Sequence, residues 1–282
     1  MRLKMNKSIN NLASTNDSLA KRWIALAIQC WVGVVLIGQW MFAIYIFAQF
    51  TWPFMSGTID ESQFRHMIKG YVNGETFNNT LLLVHVIPVM FVCFSAVLQL
   101  IPLIRKRYPT FHRINGRLFL VIGLIGAIGG LYLTWVTGSR LSNLGALGVT
   151  INGLLIPIAI FLAWRFALNK NFTLHRRFAV HAFILINGVW SFRLYLMGWY
   201  LINQGPLGNS STIDGPADIV LSLASFLLPM AIAELVFRSE KSAQPKTLWT
   251  AAIAATFGTL VTLIGVVAAS MMMWGPRILA AF

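Results

Sequence analysis

Long apolar runs alternate with short polar stretches along the whole chain. Seven of these runs hold about 20 residues or more with few charges, which is the length an α-helix needs to cross the hydrocarbon of a bilayer. The pattern therefore predicts an all-α integral membrane protein, a bundle of about seven transmembrane helices. The predicted spans are residues 23–48, 79–104, 117–137, 146–167, 178–202, 217–237 and 249–274.

Polar stretches divide the chain around these spans. Residues 1–22 are rich in Asn, Ser, Lys and Arg and show no periodic apolar face, so we expect a loose tail. Residues 49–78 form the only sizeable loop, and its start at Trp52 and Pro53 indicates a short interfacial helix. Five spans make up a core over residues 79–238, and residues 239–282 hold a loop and the last span.

The composition supports a multi-pass membrane protein. Apolar residues account for 57% of the 282 and charged residues for only 11%, and a soluble domain of this size cannot bury so much apolar surface. In a soluble protein the net charge of +14 would suggest a nucleic-acid partner, but here it is a topology signal and no nucleic acid is expected. The two cysteines, Cys30 and Cys93, lie inside apolar runs and indicate no disulfide framework.

Basic residues are concentrated on one side of the predicted bundle. Seventeen of the 22 Lys and Arg residues fall in the tail and in the three loops on that side, whereas five of the eight acidic residues fall on the other. Because positively charged loops stay in the cytoplasm, the N-terminus is predicted to be cytoplasmic and the C-terminus periplasmic, in a bacterial inner membrane. Aromatic residues near the predicted ends, such as Trp23, Trp135 and Trp249, agree with these boundaries.

Ionisable side chains inside the spans are the first candidates for chemistry, because each costs several kcal/mol if it faces lipid. Counting about 1.5 Å per residue, His85 and Arg193 lie in the periplasmic half of the membrane, where no span supplies an acidic residue. An unpaired Arg193 beside His85, with Tyr195 close in sequence, would suit a quinone oxygen, a haem propionate or another anionic group. The alternative is that Arg193 bonds backbone carbonyls or Asn152, and that both ionisable side chains only join helices.

The fifth predicted span carries polar groups all around its axis. His181, Asn187, Ser191 and Arg193 point in directions of about 0°, 240°, 280° and 120° on a regular helix. Such a helix should have little contact with lipid. We therefore expect this span at the centre of the bundle.

A second set of candidates lies on the cytoplasmic side. His112 and His175 each precede a span, and two histidines at one level are suited to ligating a haem or to forming part of a metal site. His-Arg pairs at a membrane surface also bind lipid phosphates and fix orientation, and that alternative stays open. No confident metal site is predicted. The ligand candidates are His112, Arg113, Arg117, His175, Arg176, Arg177 and His181.

Four further polar residues are assigned structural roles: Gln99, Asn187, Glu234 and Arg238. Glu234 precedes Arg238 by four residues, in the order that favours an ion pair on a helix, with Arg117 or Arg177 as alternative partners. Gln99 should share a helix face with His85, since fourteen residues at 100° leave an offset of about 40°.

The residues around the first basic turn resemble a known family. The motif FHRINGRLFL at 111–120, followed by HRRF and FRLY, is similar to a bacterial family of predicted membrane proteins catalogued as domain of unknown function 2306. The resemblance covers roughly residues 81–238, leaves out the first and seventh spans, and implies no settled activity. His181 stands where members often carry Arg, which weakens a shared role as ligand. The matching residues are His85, Gln99, His112, Arg113, Gly116, Arg117, His175, Arg176, Arg193, Tyr195 and Glu234.

Three functions fit these residues. A haem- or quinone-linked electron-transfer module fits best, because the unpaired Arg193 and the level pair of histidines call for an acceptor that the chain does not supply. The alternatives are a small-solute transporter or permease, suggested by spans interrupted by proline, and a non-catalytic scaffold that binds lipid headgroups. No hydrolase or nucleotide motif occurs, so neither a reaction nor a protein partner is assigned.

The depth of the histidines in the membrane limits which of them could together ligate a haem b. His85 and His181 belong to different halves of the membrane and cannot ligate the same iron. The remaining pairings are His112 with His175, or His85 with a methionine such as Met41 or Met197.

Overall fold

Every regular element in the described part of the chain is a helix. This computed structural model describes the backbone of residues 2–64 and 70–281, and within those ranges the side chains from Asp17 onward. No strand occurs in these residues. The all-α fold predicted from the sequence is confirmed.

The helices follow one another with short connections. They are α1 (Arg2–Ile46), α2 (Trp52–Met55), α3 (Thr76–Ser95), α4 (Pro102–Arg107), α5 (Pro109–Trp135), α6 (Leu147–Leu168), α7 (Phe172–Ile186), α8 (Gly188–Asn203), α9 (Pro216–Ser239), α10 (Pro245–Ala269) and α11 (Gly275–Ala280). Turns of 3-10 helix lie at Glu61–Phe64 and Val97–Leu100, and single π-helical turns lie at Phe47–Thr51 and Ser270–Trp274.

Six helical stretches of the described residues are long and apolar enough to cross a membrane, and two further helices joined at a bend make a seventh if the pair is one span. The six are Asp17–Met55, Thr76–Leu100, Pro109–Trp135, Leu147–Leu168, Pro216–Ser239 and Pro245–Ala280, and the seventh joins Phe172–Ile186 to Gly188–Asn203. This agrees with the seven apolar runs of the sequence.

The bent pair of helices α7 and α8 departs from the single helix predicted at residues 178–202. It starts earlier, at Phe172, and bends by 57° at Asn187. The Asn187 side chain donates to the carbonyl oxygen of Phe183 at 2.8 Å, and a glycine, which favours helix least after proline, follows it. Gly188 also has no room for a side chain, because a Cβ there would come within 2.3 Å of the Asn152 amide nitrogen.

Two helices begin well before their predicted starts. The tail expected to be loose is helical from Arg2, because extending an existing helix is much easier than nucleating one; the side chains of its first residues lie outside the described part. Helix α5 begins at Pro109 rather than 117, since proline is favoured in the first turn. Arg113 and Arg117 are therefore on a helix and not in a loop.

The second span ends earlier than the predicted residue 104. Helix α3 stops at Ser95 and gives way to the 3-10 turn, and Ile101 is extended because Pro102 follows it. Gln99 lies in the 3-10 turn, so the predicted shared face with His85, which assumed a continuous α-helix, does not apply. Its side-chain oxygen instead faces Gly116 of α5, where a Cβ would lie 3.2 Å away.

The loop predicted at 49–78 is partly helical. The first span continues through the π-helical turn into the single turn of α2, at the Trp52–Pro53 position where a short helix was expected. Residues 65–69 lie outside the described part. At the other terminus, the span predicted at 249–274 continues as a π-helical turn and then as α11, which packs against α1.

The broken span lies among most of the other helices. Helix α7 packs on α6 and α9, and α8 packs on α9 and α10, while α1 forms an extensive pair with α10. Helix α3 packs chiefly against α1 and α5. Glycine allows α8 and α10 to touch: a Cβ on Gly265 would come within 2.8 Å of the carbonyl oxygen of Leu194.

Candidate functional site

The guanidinium group of Arg193 lies inside the helical bundle, on α8. It donates to the carbonyl oxygen of Val189 at 3.1 Å, and its carbon lies 5.7 Å from the ring centre of Phe42 on α1. His85 of α3 and Tyr45 of α1 are close enough to act on it electrostatically. Within residues 17–64 and 70–281, no carboxylate pairs with Arg193. We call Arg193, His85, Phe42 and Tyr45 the arginine site.

The imidazole of His85 packs against two consecutive glycines of α5. A Cβ added to Gly129 would lie 3.4 Å from its Nδ1, and one added to Gly130 would lie 3.4 Å from its Cε1. The Nδ1 atom is buried and has no hydrogen-bond partner in the part of the protein that the structure describes. This nitrogen can donate or accept according to the tautomer.

Aromatic rings form one side of the arginine site. The Phe42 ring stacks on Tyr45 with centres 5.9 Å apart and lies 5.3 Å from Trp274, which is fully buried. Trp274 precedes α11, which brings Arg277 within electrostatic reach of Arg193. These residues were not predicted from the sequence, because aromatic side chains within apolar runs normally indicate packing.

Two residues expected beside Arg193, Tyr195 and Asn152, make no hydrogen bond to it within the described part of the chain. Tyr195 is two positions further along the same helix, which places it about 200° around the axis from Arg193. Asn152 of α6 is buried against Gly188, and its amide nitrogen has no partner among the described residues. Of the predicted outer group, electrostatic proximity is seen between His85 and Arg193, and the roles of Tyr195 and Asn152 stay predictions.

A cluster of buried amides surrounds the bend between α7 and α8. Gln39 of α1, which is fully buried, donates from Nε2 to the Asn187 side-chain oxygen at 2.8 Å. Its own Oε1 has no partner in the described part of the chain. Phe42 lies three residues after Gln39, on the same face of α1, so the cluster adjoins the arginine site. Gln39 was not predicted, although an amide within an apolar run is the signal that would have revealed it.

A carboxylate joins α7 to α9 at the end of the bundle that carries α4 and the start of α7, which we call the basic end. Glu234 accepts from Arg177 through both oxygens, with Nε at 2.7 Å from Oε1, and the Nε2 of His181 lies 2.7 Å from the same Oε1. The partner of Glu234 is thus Arg177, one of the three arginines considered from sequence. We call these three residues the carboxylate clamp.

The clamp changes the expected role of His181. Its Nε2 is engaged by Glu234 and is not free for a haem or a metal, whereas its buried Nδ1 has no partner within the described residues. A second pair lies beside it, in which Arg176 donates to both oxygens of Glu240, at 2.8 and 2.6 Å. Arg238, the partner expected from helical spacing, is exposed and pairs with no carboxylate in the described ranges.

His112 and His175 lie close enough to influence each other electrostatically. Each is the fourth residue of its helix at the basic end, α5 and α7. The Nδ1 of His175 lies 2.9 Å from the carbonyl oxygen of Ala163, so it carries the proton and leaves Nε2 free, as in many metal-ligating histidines.

A haem at this pair has limited support from the geometry. The tautomer of His175 fits an axial ligand, and the Nδ1 of His112 is buried without a partner among the described residues. The groove described below, between α5 and α6, is lined by no histidine. No group of three or more residues able to ligate a metal occurs within the described part of the chain.

The comparison with known proteins identifies a family. The family described as "Predicted membrane protein (DUF2306)" matches residues 82–237, more than half of the chain. His85, Arg193 and the whole carboxylate clamp lie within the matched residues, whereas Gln39, Phe42, Tyr45 and Arg277 lie outside them. No curated protein and no solved structure matches the chain.

Proposed function

This chain belongs to the DUF2306 family of predicted membrane proteins, and from that premise we propose that it binds a quinone at the arginine site and takes part in quinone-linked electron transfer. The unpaired guanidinium of Arg193 carries the proposal. Placing an arginine in the membrane interior costs about 2.5 to 3.5 kcal/mol on insertion scales. The Val189 carbonyl oxygen and the Phe42 ring offset only part of that cost, so an acceptor from outside the chain is expected.

A quinone suits the surroundings of this cation better than a free anion does. Its ring oxygens accept hydrogen bonds from the unused guanidinium nitrogens of Arg193 and from the free nitrogen of His85. Its flat ring matches the stacked Phe42 and Tyr45, and its hydrocarbon tail requires no water. A small anion would lose its hydration on entering the site, and the charge of Arg193 alone would have to compensate for that loss unless Arg277 turned inward.

The test is the quinone content of the purified protein. Full-length protein is solubilised gently, extracted with organic solvent and assayed for quinone, and its absorption spectrum is recorded. We expect close to one quinone per chain and at least about a tenfold loss in Arg193→Leu, since one charge-assisted hydrogen bond contributes roughly 1.5 to 3 kcal/mol. Arg140→Gln is the matched control, because Arg140 is bonded to Asn143 and stacked on Trp135, outside the arginine site.

Two results would overturn the proposal. Wild-type protein without quinone, or with a quinone content that Arg193→Leu leaves unchanged, removes the arginine site as a quinone site. A Soret band would instead place a haem in the module, and its loss in His175→Ala would assign the ligand to the pair at the basic end. If Arg193→Leu changes only protein yield, the scaffold alternative is favoured.

A second candidate function rests on the bent span. Transporters place substrate sites at broken helices near the membrane centre, and the 57° bend at Asn187 is lined by the buried amides of Gln39 and Asn152. A small-solute permease would therefore use the amide cluster rather than the arginine site. Solute uptake into proteoliposomes that is abolished by Gln39→Leu, with quinone content unchanged, would support it.

We also propose that the basic end faces the cytoplasm of a bacterial inner membrane. The five cations of residues 105–117 lie at that end and would remain on the side of synthesis. The C-terminus, which follows an odd number of spans from a cytoplasmic N-terminus, would then be periplasmic.

A further inference from the structure

An open groove runs along the outer surface of the bundle between α5 and α6. It has a volume of about 440 Å³ and is lined by Leu124 of α5 and by Pro157, Phe161, Trp164 and Arg165 of α6, among others. All but the last of these five side chains are apolar. The groove therefore presents hydrocarbon surface along its length and a cation at one end.

The length of the groove matches one leaflet of a bilayer. The α6 residues that line it extend from Pro157 to Asn169, which at 1.5 Å per residue is roughly 18 Å. Half of the hydrocarbon core of a membrane is about 15 Å thick. Since Arg165 and Asn169 are near the end of α6, at the basic end, the groove reaches from the middle of the membrane to one interface.

Further cations lie above the groove on α5. Arg117 precedes Leu124 by seven residues and Arg113 by eleven, spacings that leave each within about 20° of the groove-lining Leu124 around the helix axis. Arg113, Arg117 and Arg165 are all exposed. None of the three pairs with a carboxylate within residues 17–64 and 70–281.

The neighbouring arginines at the same end behave differently. Arg177 is bonded through two nitrogens to Glu234 of α9, and Arg176 through two nitrogens to Glu240, the residue that follows α9. Among the described residues, carboxylates thus pair with the cations of α7 and with none of those around the groove. Trp164, a residue type common at the level of lipid headgroups, lies next to the cationic end.

From these observations we infer that the groove binds an anionic phospholipid. One acyl chain lies along Leu124, Pro157 and Phe161, and the phosphate is held by Arg165 together with Arg113 and Arg117. Arginine suits this role because its planar fork donates two parallel hydrogen bonds to a phosphate. The site is separate from the arginine site, because it faces lipid and shares no lining residue with it.

The test compares lipids that differ only in headgroup. Full-length protein in detergent is exchanged against phosphatidylglycerol or phosphatidylcholine with identical chains, and the lipid retained is measured by native mass spectrometry. We expect retention of the anionic lipid only, falling about tenfold or more in Arg117→Gln/Arg165→Gln. Arg105→Gln/Arg107→Gln removes the same charge from α4, whose residues do not line the groove, and should change retention less than about threefold.

A third variant separates the groove from the charges. Leu124→Trp fills the apolar channel and leaves every arginine in place, so it should lower retention of the phospholipid without altering binding of inorganic phosphate. Equal retention of both lipids, or an equal loss in the α4 control, would show that only general surface charge is involved and would contradict the inference. Thermal unfolding without added lipid confirms that each variant is folded.

Discussion

Removal of the Glu234 carboxylate is the sharpest test of the packing at the basic end. In Glu234→Met, a side chain of similar length loses its three hydrogen bonds to Arg177 and His181. Arg177 is 46% exposed and can be hydrated, so its share is at most about 1 kcal/mol. His181 is only 9% exposed, and leaving its Nε2 without a partner costs roughly 1 to 3 kcal/mol.

The expected total is near the lower end of that range. Hydrogen bonds between membrane helices average about 0.6 kcal/mol and reach about 1.7, because the unfolded state in the membrane also finds partners. We therefore expect Glu234→Met to lower the free energy of unfolding by about 1 to 2 kcal/mol, measured by reversible denaturation in mixed micelles. In a double-mutant cycle with His181→Phe, the coupling should be roughly 1 kcal/mol.

Arg238→Met is the matched control, since Arg238 is exposed on the same helix and was the partner favoured by sequence spacing. It should change the free energy of unfolding by less than about 0.5 kcal/mol and show no coupling to Glu234→Met. The reasoning is refuted if Arg238→Met couples to Glu234→Met as strongly as His181→Phe does, or if Glu234→Met unfolds like the wild type.

Three other predictions concern separate regions. Gly265→Ala should destabilise the protein by about 1 to 3 kcal/mol in the same assay, because its Cβ would approach the Leu194 carbonyl oxygen to 2.8 Å. Hydrogen bonds from the Ser62 side chain and backbone and from Asn73 lower the pKa of Asp60 from 3.8 to about 2. Their support for the loop is therefore complete above pH 3.8 and is lost as the pH falls toward 2, which should lower the hydrogen-exchange protection factors of the loop amides. A cysteine at Lys106 should react with a membrane-impermeant thiol reagent only after the cell is opened.

Each of these has a control in the chain. Gly126→Ala should be neutral, since no atom lies within 4 Å of its added Cβ. In Asp60→Asn, the hydrogen-exchange protection factors of the loop should no longer change between pH 3.8 and 2. If they change as in the wild type, Asp60 is excluded as the source of the pH dependence. A cysteine at Asn209, in the connection between α8 and α9 at the opposite end, should be labelled on intact spheroplasts. Labelling of the Lys106 cysteine under that condition would reverse the proposed orientation.

The spans were predictable from the sequence, but the bend was not. Apolar runs of about 20 residues report length and polarity, and these decide whether a helix can cross a bilayer. The bend at Asn187 interrupts no apolar run. It depends on Gln39, which is 148 positions away in the chain, and on the close approach of Asn152 to Gly188. Contacts between residues so far apart in the chain leave no pattern in the sequence around either residue.

For the candidate sites, the sequence predicts how deep a residue lies in the membrane but not which way its side chain points around the helix. The depth of a residue along a span can be counted from the sequence, and the count predicts similar levels for His85 and Arg193. Their electrostatic proximity in the structure agrees with it. Direction around a helix depends on the packing of neighbours, so three arginines remained as partners for Glu234 until the structure showed Arg177. The separation of Tyr195 from Arg193 was accessible from sequence alone, since two residues correspond to about 200°.

The pairing of cations explains how one positively charged end can serve both folding and binding. Arg177 pairs with Glu234 of α9 and Arg176 with Glu240 just after α9, so their charges join two helices of the bundle. The cations of α5 and of the end of α6 have no acidic helix beside them in the described residues and stay open to the membrane interface. A charge that the chain neutralises contributes to stability, whereas one that it leaves open is available to a lipid phosphate. Substitutions in the first group should therefore lower the free energy of unfolding in detergent, and those in the second should alter only the lipid that is retained.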